Sequence, residues 1–133
     1  MKKTGVLNAE LSKLIATLGH GDMLVIGDAG LPVPHGVPCI DLAVSLGVPA
    51  LRQVLDAVLQ EICLEKVTLA EETETHSADL WRFAHDHAEN NRIQTDTVTH
   101  EALKQLSQTA RAVVRTGDTT PYTNIILHSG VPF

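Results

Sequence analysis

A histidine set between glycines, in Gly19-His20-Gly21-Asp22, is the stretch most open to chemistry. The glycines strip away cover and free the backbone, so an imidazole there is exposed and positionable. Histidine can take and return a proton within one catalytic cycle, a service worth about 10²–10⁴-fold in rate. The plainer reading is a polar residue at a helix C-terminus, where the helix dipole also suits it. Asp28 follows eight residues later, at the end of an apolar run. Open α/β sheets form their ligand crevices at strand ends of this kind, although aspartate also ends strands and opens turns for purely local reasons. His100 stands just inside a presumed helix start and can hydrogen-bond a neutral ligand. Thr119-Thr120-Pro121-Tyr122-Thr123-Asn124 gathers hydroxyls and an amide ahead of an apolar strand, a donor and acceptor set suited to a polyol or to an ordinary turn.

Other chemistries find little foothold. His85 and His87 lie two apart on a helical stretch, so they project about 200° apart and cannot chelate one ion. Glu71, Glu72 and Glu74 read most simply as a solvated acidic run. Cys39 and Cys63 stand alone, which predicts reduced, buried thiols and no disulfide framework. The Gly27 to Gly30 stretch is not G-x-G-x-x-G, the P-loop lysine is missing, and no G-x-S-x-G surrounds any serine. No cofactor and no metal are expected.

The elements that must position these residues can be read from periodicity. Asn8 is a suitable N-cap, and Leu11, Leu14, Ile15 and Leu18 recur at helical spacing over about 8–18, with Gly19 offering a left-handed stop. Met23-Leu24-Val25-Ile26-Gly27 predicts a buried strand closed by Asp28. Three prolines and two glycines in residues 29–38 force a shaped loop. Ile40, Leu42 and Val44 alternate like a strand, and Pro49 at a first helical turn opens an amphipathic helix running to Ile62. A strand at 67–69, a polar helix over about 77–90 carrying Leu80, Trp81 and Ala84 inward, and a strand over 92–98 follow. Thr99 then caps a helix reaching about Gln108, and strands at 112–114 and 125–127 close the chain. Alternating helices and strands predict an α/β fold: a single three-layer domain over residues 1–133, with a mostly parallel central sheet flanked by helices.

Composition narrows the partners. The 133 residues are 44% apolar with only four aromatics, a poor basis for large stacked ligands. The mean hydropathy of +0.06 is high for a chain that would bury only about two thirds of its unfolded surface, which points to homo-oligomeric contacts. Sixteen acids against ten scattered bases leave no nucleic-acid footprint. No apolar run approaches the roughly 20 residues that span a bilayer, and Met1-Lys2-Lys3-Thr4-Gly5 leads into an amphipathic helix instead of a signal core. A cytoplasmic location is expected.

Lys2-Lys3, Gly5, Leu7-Asn8, Leu18-Gly19-His20, Asp22, Asp28-Ala29-Gly30-Leu31-Pro32-Val33-Pro34, His100-Glu101, Arg115-Thr116-Gly117 and Pro121-Tyr122 with Asn124 together resemble the D-ribose pyranase family. The resemblance extends over essentially the whole chain. Related fucose mutarotases carry a bulky aromatic before the first proline, where this sequence has Leu31, which favours ribose. The resemblance implies a cofactor-free isomerase that interconverts the pyranose and furanose forms of D-ribose for a ribokinase, and ring-shaped homodecamers with sites near subunit contacts. It makes His20 the proton donor and Asp28, His100, Tyr122, Thr123 and Asn124 the substrate contacts. Asp28 would hold His20 or a sugar hydroxyl. Gly21 stands where relatives often have threonine, and Thr123 where they often have alanine, a change expected to alter how tightly the sugar fits. The rival expectation is a non-catalytic sugar-binding partner of a ribose uptake system, and a mutarotase acting on several aldoses would share the chemistry.

Overall fold

Helix α1 (Ala9–Thr17) starts where Asn8 accepts a hydrogen bond from the Leu11 amide at 2.9 Å, as the capping pattern predicts. The left-handed stop expected at Gly19 does not form: α1 ends in an extended Leu18 (φ −67°, ψ 129°), and the positive φ falls at Gly21 (+81°), in the turn that follows. Residues Gly19 to Asp22 form a hydrogen-bonded turn, Asp22 N–H to Gly19 O at 3.1 Å, with glycine at the third position where positive φ is needed. The computed structural model describes all of residues 1–133.

Strand β1 (Met23–Gly27) leads to the short β2 (Cys39–Asp41), helix α2 (Leu51–Leu59), β3 (Leu64–Ala70), a one-turn α3 (Thr73–His76) and α4 (Ala78–Asn91). After these come β4 (Gln94–Val98), α5 (His100–Leu106), a 3₁₀ turn at Ser107–Thr109, β5 (Ala112–Arg115) and β6 (Ile125–Ser129). The six strands form one sheet in the order β2-β5-β1-β6-β3-β4. Strand β6 runs antiparallel to both β1 and β3, while the other three pairings are parallel. A mostly parallel sheet is therefore correct, with one reversed strand at its centre that the apolar run at 125–127 does not announce.

Strand alternation assigns the faces. Leu24, Ile26, Val114, Ile125 and Leu127 join a core under α1, α2 and α4, whereas Val25, Val113 and Ile126 join a smaller core under Leu103 of α5 and Leu31. Helices thus cover both faces, giving three layers. Each fully buried Leu, Ile or Val contributes about 1.5–3 kcal/mol.

Four local expectations shift. The second strand stops at Asp41 because the Asp41 carboxylate accepts from the Ala43 amide at 3.0 Å and bends the chain; Val44 is then 82% exposed. Helix α2 begins at Leu51, with Pro49 lying ahead of its Ala50 N-cap. The acidic run is not simply solvated: Glu72 accepts from the His100 amide at 2.9 Å and ties β3's exit to the start of α5. Cys39 is also exposed and not buried.

His128 on β6 is buried, with Nε2 2.9 Å from the Thr68 hydroxyl. Burial pushes its imidazole below the usual range; Lys66 adds to the shift, and Asp96 and Glu65 oppose it. The unfolded chain takes up a proton near pH 6.5 that the folded chain refuses, so stability present above that pH is lost as pH falls through the depressed folded value. Thermal melts between about pH 7 and 5 should show a smaller drop for His128→Gln than for the wild type; equal drops would assign the acid sensitivity elsewhere.

Candidate active site

The cleft at the C-terminal end of β1 is assembled by three segments. Asp28 follows the last residue of β1, His100 opens α5, and Tyr122 and Asn124 come from the loop leading into β6. Together with Gly30, Leu31, Pro32, Glu101, Lys104 and Pro121 they line a cavity of about 410 Å³.

Asp28 and Asn124 form a reciprocal pair. The Asp28 amide donates to Asn124 Oδ1 at 3.0 Å, and Asn124 Nδ2 donates to Asp28 Oδ2 at 3.1 Å. The second carboxylate oxygen accepts from the Gly30 amide at 2.9 Å. Burial raises the Asp28 carboxyl above the usual carboxylate range, while Gly30, Asn124, His100 and Leu31 hold it down. The pair needs a glycine behind it, because a Cβ on Gly27 would lie 2.5 Å from Leu31 Cδ2 and 2.9 Å from Asn124 Oδ1. Thr116 secures the same strand end, its hydroxyl donating to Gly27 O at 2.8 Å.

Tyr122 adopts φ +60°, rare for a residue with a side chain. Thr73 fixes it there by donating to the Tyr122 carbonyl at 2.8 Å. Its ring sits between His76, with centroids 4.8 Å apart, and His100, which meets it edge-on at 4.9 Å. Backbone strain held by its surroundings is a mark of functional sites. His100 Nδ1 is the one buried side-chain nitrogen or oxygen in the chain without a hydrogen-bond partner. A buried polar atom left unpaired costs free energy, and a hydroxyl bonded to it would lower that cost.

Two of the sequence-predicted residues lie apart from this group. The Thr123 hydroxyl donates to Ser77 Oγ at 2.8 Å and lines a different cavity of about 410 Å³, with Thr75, Ser77, Asp118 and Thr120. Tyr122 and Asn124 line the first cleft, while the Thr123 side chain turns away from it to Ser77. His20 stands in the turn before β1, and Asp28 follows its end. The five residues of β1 hold the two apart by roughly 17 Å at a strand's rise. There His20 is exposed, with Nε2 2.6 Å from Glu65 Oε2. Sequence inspection missed Glu72, Thr73 and Glu65; their only signal is position, since each meets its partner across a long loop in sequence.

Residues 1–132 match the sequence model of the RbsD / FucU transport protein family. The chain is 50% identical over 133 residues to the D-ribose pyranase of Bacillus licheniformis, spanning all of both chains. It is 50% identical over 131 residues to the D-ribose pyranase of Streptococcus agalactiae, covering 98% of each. Among solved structures, Bacillus subtilis RbsD complexed with D-ribose superposes over all of both chains with a TM-score of 0.94 and 42% identity. The Streptococcus pneumoniae fucose mutarotase in complex with L-fucose superposes over all of both with a TM-score of 0.80 and 24% identity, a likeness of fold. Architecture, site-bearing segments and sequence agree from end to end, and the chain belongs to the RbsD / FucU transport protein family.

Proposed function

We infer that this chain is a D-ribose pyranase, an isomerase that interconverts the pyranose and furanose forms of D-ribose and so supplies furanose to a ribokinase. Identity of 50% over the full length to proteins of that activity supports the reading. The observation that carries it physically is the unpartnered His100 Nδ1, buried in a cleft whose other polar groups include a carboxylate, a phenol and an amide. Such a set reads hydroxyls and leaves a sugar's ring atoms free to react. The whole of residues 1–133 forms the one domain that does this.

Opening a cyclic hemiacetal requires the C1 hydroxyl to lose its proton while the ring oxygen gains one and the C1–O5 bond breaks. Closure through O4 reverses the exchange: O4 loses its proton to a base as the C1–O4 bond forms, and the aldehyde oxygen is protonated. His20 gives the proton to the ring oxygen and takes the one from the closing hydroxyl, while water takes the C1 hydroxyl proton at opening and returns one to the aldehyde oxygen at closure. Asp28, raised by burial, accepts the hydrogen of a sugar hydroxyl, and its place across β1 from His20 leaves it no role in orienting that ring within one chain. His100, Tyr122 and Asn124 hold the remaining hydroxyls. Thr123 acts indirectly, bracing the loop through Ser77. Ring opening proceeds unaided in water, so only a modest barrier reduction is needed.

The separation of His20 from the cleft is met by assembly. A neighbouring copy brings its His20 to the cleft of the first, in the homodecameric ring that the family resemblance implies. The turn bearing Val44, Leu46 and Val48, 82%, 84% and 51% exposed, offers apolar surface for contacts between copies. A cytoplasmic location fits an enzyme placed ahead of a kinase, and no helix is long and apolar enough to cross a membrane.

Saturation-exchange NMR on D-ribose tests the activity. Catalytic amounts of protein are expected to accelerate exchange between pyranose and furanose signals. Ribose binding without acceleration would replace the enzyme by a sugar-binding partner of an uptake system, and equal acceleration of fucose would broaden the substrate.

A further inference from the structure

The turn carrying His20 is held from two strands. The Gly21 amide donates to Ser129 O at 2.8 Å, and the Ser129 amide donates to Asp22 O at the same distance, which docks the turn on the end of β6. Directly beyond, the ladder between β3 and β6 slips. Leu64 pairs with Ser129 and Lys66 with His128, so three residues of β3 face two of β6 and Glu65 is the extra one. A β-bulge of this kind re-aims a side chain, and bulges concentrate beside active sites. Here the bulged residue is the one whose carboxylate reaches His20 Nε2 at 2.6 Å. Gly130 closes over the bulge: a Cβ there would lie 3.2 Å from Glu65 Cβ and 3.3 Å from its amide nitrogen.

We propose that Glu65 is the positioning residue for His20, holding its ring by Nε2 so that Nδ1 is the nitrogen presented to the sugar. This rests on the reading of His20 as the proton donor. An ionised carboxylate only accepts hydrogen bonds, so Nε2 carries the hydrogen in the contact. The hydrogen bond at one ring nitrogen sets the state of the other. Nδ1–H of the imidazolium then gives its proton to the ring oxygen as C1–O5 breaks, and the freed Nδ1 lone pair takes the proton from O4–H as C1–O4 forms. Throughout both steps Nε2–H stays on Glu65. Stability does not account for the pair, since both side chains are largely exposed, 63% and 44%, and such pairs contribute little. Its geometry, built by a bulge and a facing glycine, is what fixes the imidazole.

The test compares Glu65→Ala and Glu65→Gln, with exchange kinetics on ribose and ¹⁵N NMR of the His20 ring. Glu65→Ala is expected to lower kcat about 10–100-fold at unchanged KM and unchanged Tm, and to leave the His20 ring a mixture of tautomers. In Glu65→Gln the amide oxygen can accept the same bond, so most of kcat and the Nε2–H form should return. A folded Glu65→Ala protein with wild-type kcat overturns the proposal, as does a glutamine variant as slow as the alanine one. The ring-nitrogen signals judge the Glu65 contact even without turnover: a wild-type protein that fails to accelerate exchange removes the assigned activity, whereas wild-type ¹⁵N signals lacking Nε2–H remove this proposal alone.

Discussion

Co-expressed in equal amounts, His20→Ala and Asp28→Ala chains are expected to recover about a quarter of the wild-type exchange rate, although each variant alone is inactive. Within one chain β1 separates the two side chains, one in the turn before it and the other just after it. If His20 serves a neighbour's cleft, a site works whenever the donating chain carries His20 and the receiving chain carries Asp28. Random assembly satisfies each condition half the time. The single His20→Ala variant should lose the acid–base contribution of about 10²–10⁴-fold while keeping the ribose contacts of Asp28, His100, Tyr122 and Asn124. Exchange NMR on the co-assembled protein, against each variant purified alone, reads the result. No recovery above the separate variants would place both residues in one subunit's site, and the separation across β1 would then have to be closed by a rearrangement of the chain.

That separation was open to view in the sequence. Seven residues lie between His20 and Asp28, five of them the apolar run of β1, and a strand's rise does the rest. Elements whose signal is local were legible in the same way: Asn8 and Thr99 accept the helix-starting amides of Leu11 and Ala102, and β1 ends at Gly27. Features that depend on pairing were not. Nothing in Ile125-Ile126-Leu127 distinguishes a parallel from an antiparallel strand, because a strand buried on both faces is apolar throughout. The bulge at Glu65 is a matter of register between β3 and β6, a quantity neither segment holds by itself. Thr123 was grouped with Tyr122 and Asn124 by adjacency, whereas its hydroxyl turns to Ser77. Glu72 looked like one of three solvated acids, and only the fold brings it 2.9 Å from the His100 amide.

Asn124 braces the cleft without a reacting role, so Asn124→Asp is expected to abolish measurable turnover near neutral pH with the fold retained. Asn124 is 1% exposed, and its amide supplies what the Asp28 main chain and side chain each lack: an acceptor for the Asp28 N–H and a donor for Oδ2. An aspartate of nearly identical shape keeps the first bond and removes the second, setting two carboxylates about 3 Å apart in a partly buried place. Like charges that close cannot both ionise, so the pair shares a proton and titrates as a unit. Asp28, already raised by burial, is raised further. The sign follows: the variant is destabilised as pH rises and the shared proton leaves, and it regains stability and some ribose binding as pH falls. Wild-type ribose binding should move the opposite way at its acid limb if, as proposed, the Asp28 carboxylate accepts a sugar hydroxyl, because protonation removes that acceptor. Ribose titrations at several pH values, followed by NMR with thermal melts alongside, separate the cases. Ribose affinity within a few-fold of wild type in Asn124→Asp at neutral pH would show that the Asp28 carboxylate needs no amide donor and that the cleft is organised by His100 and Tyr122 instead.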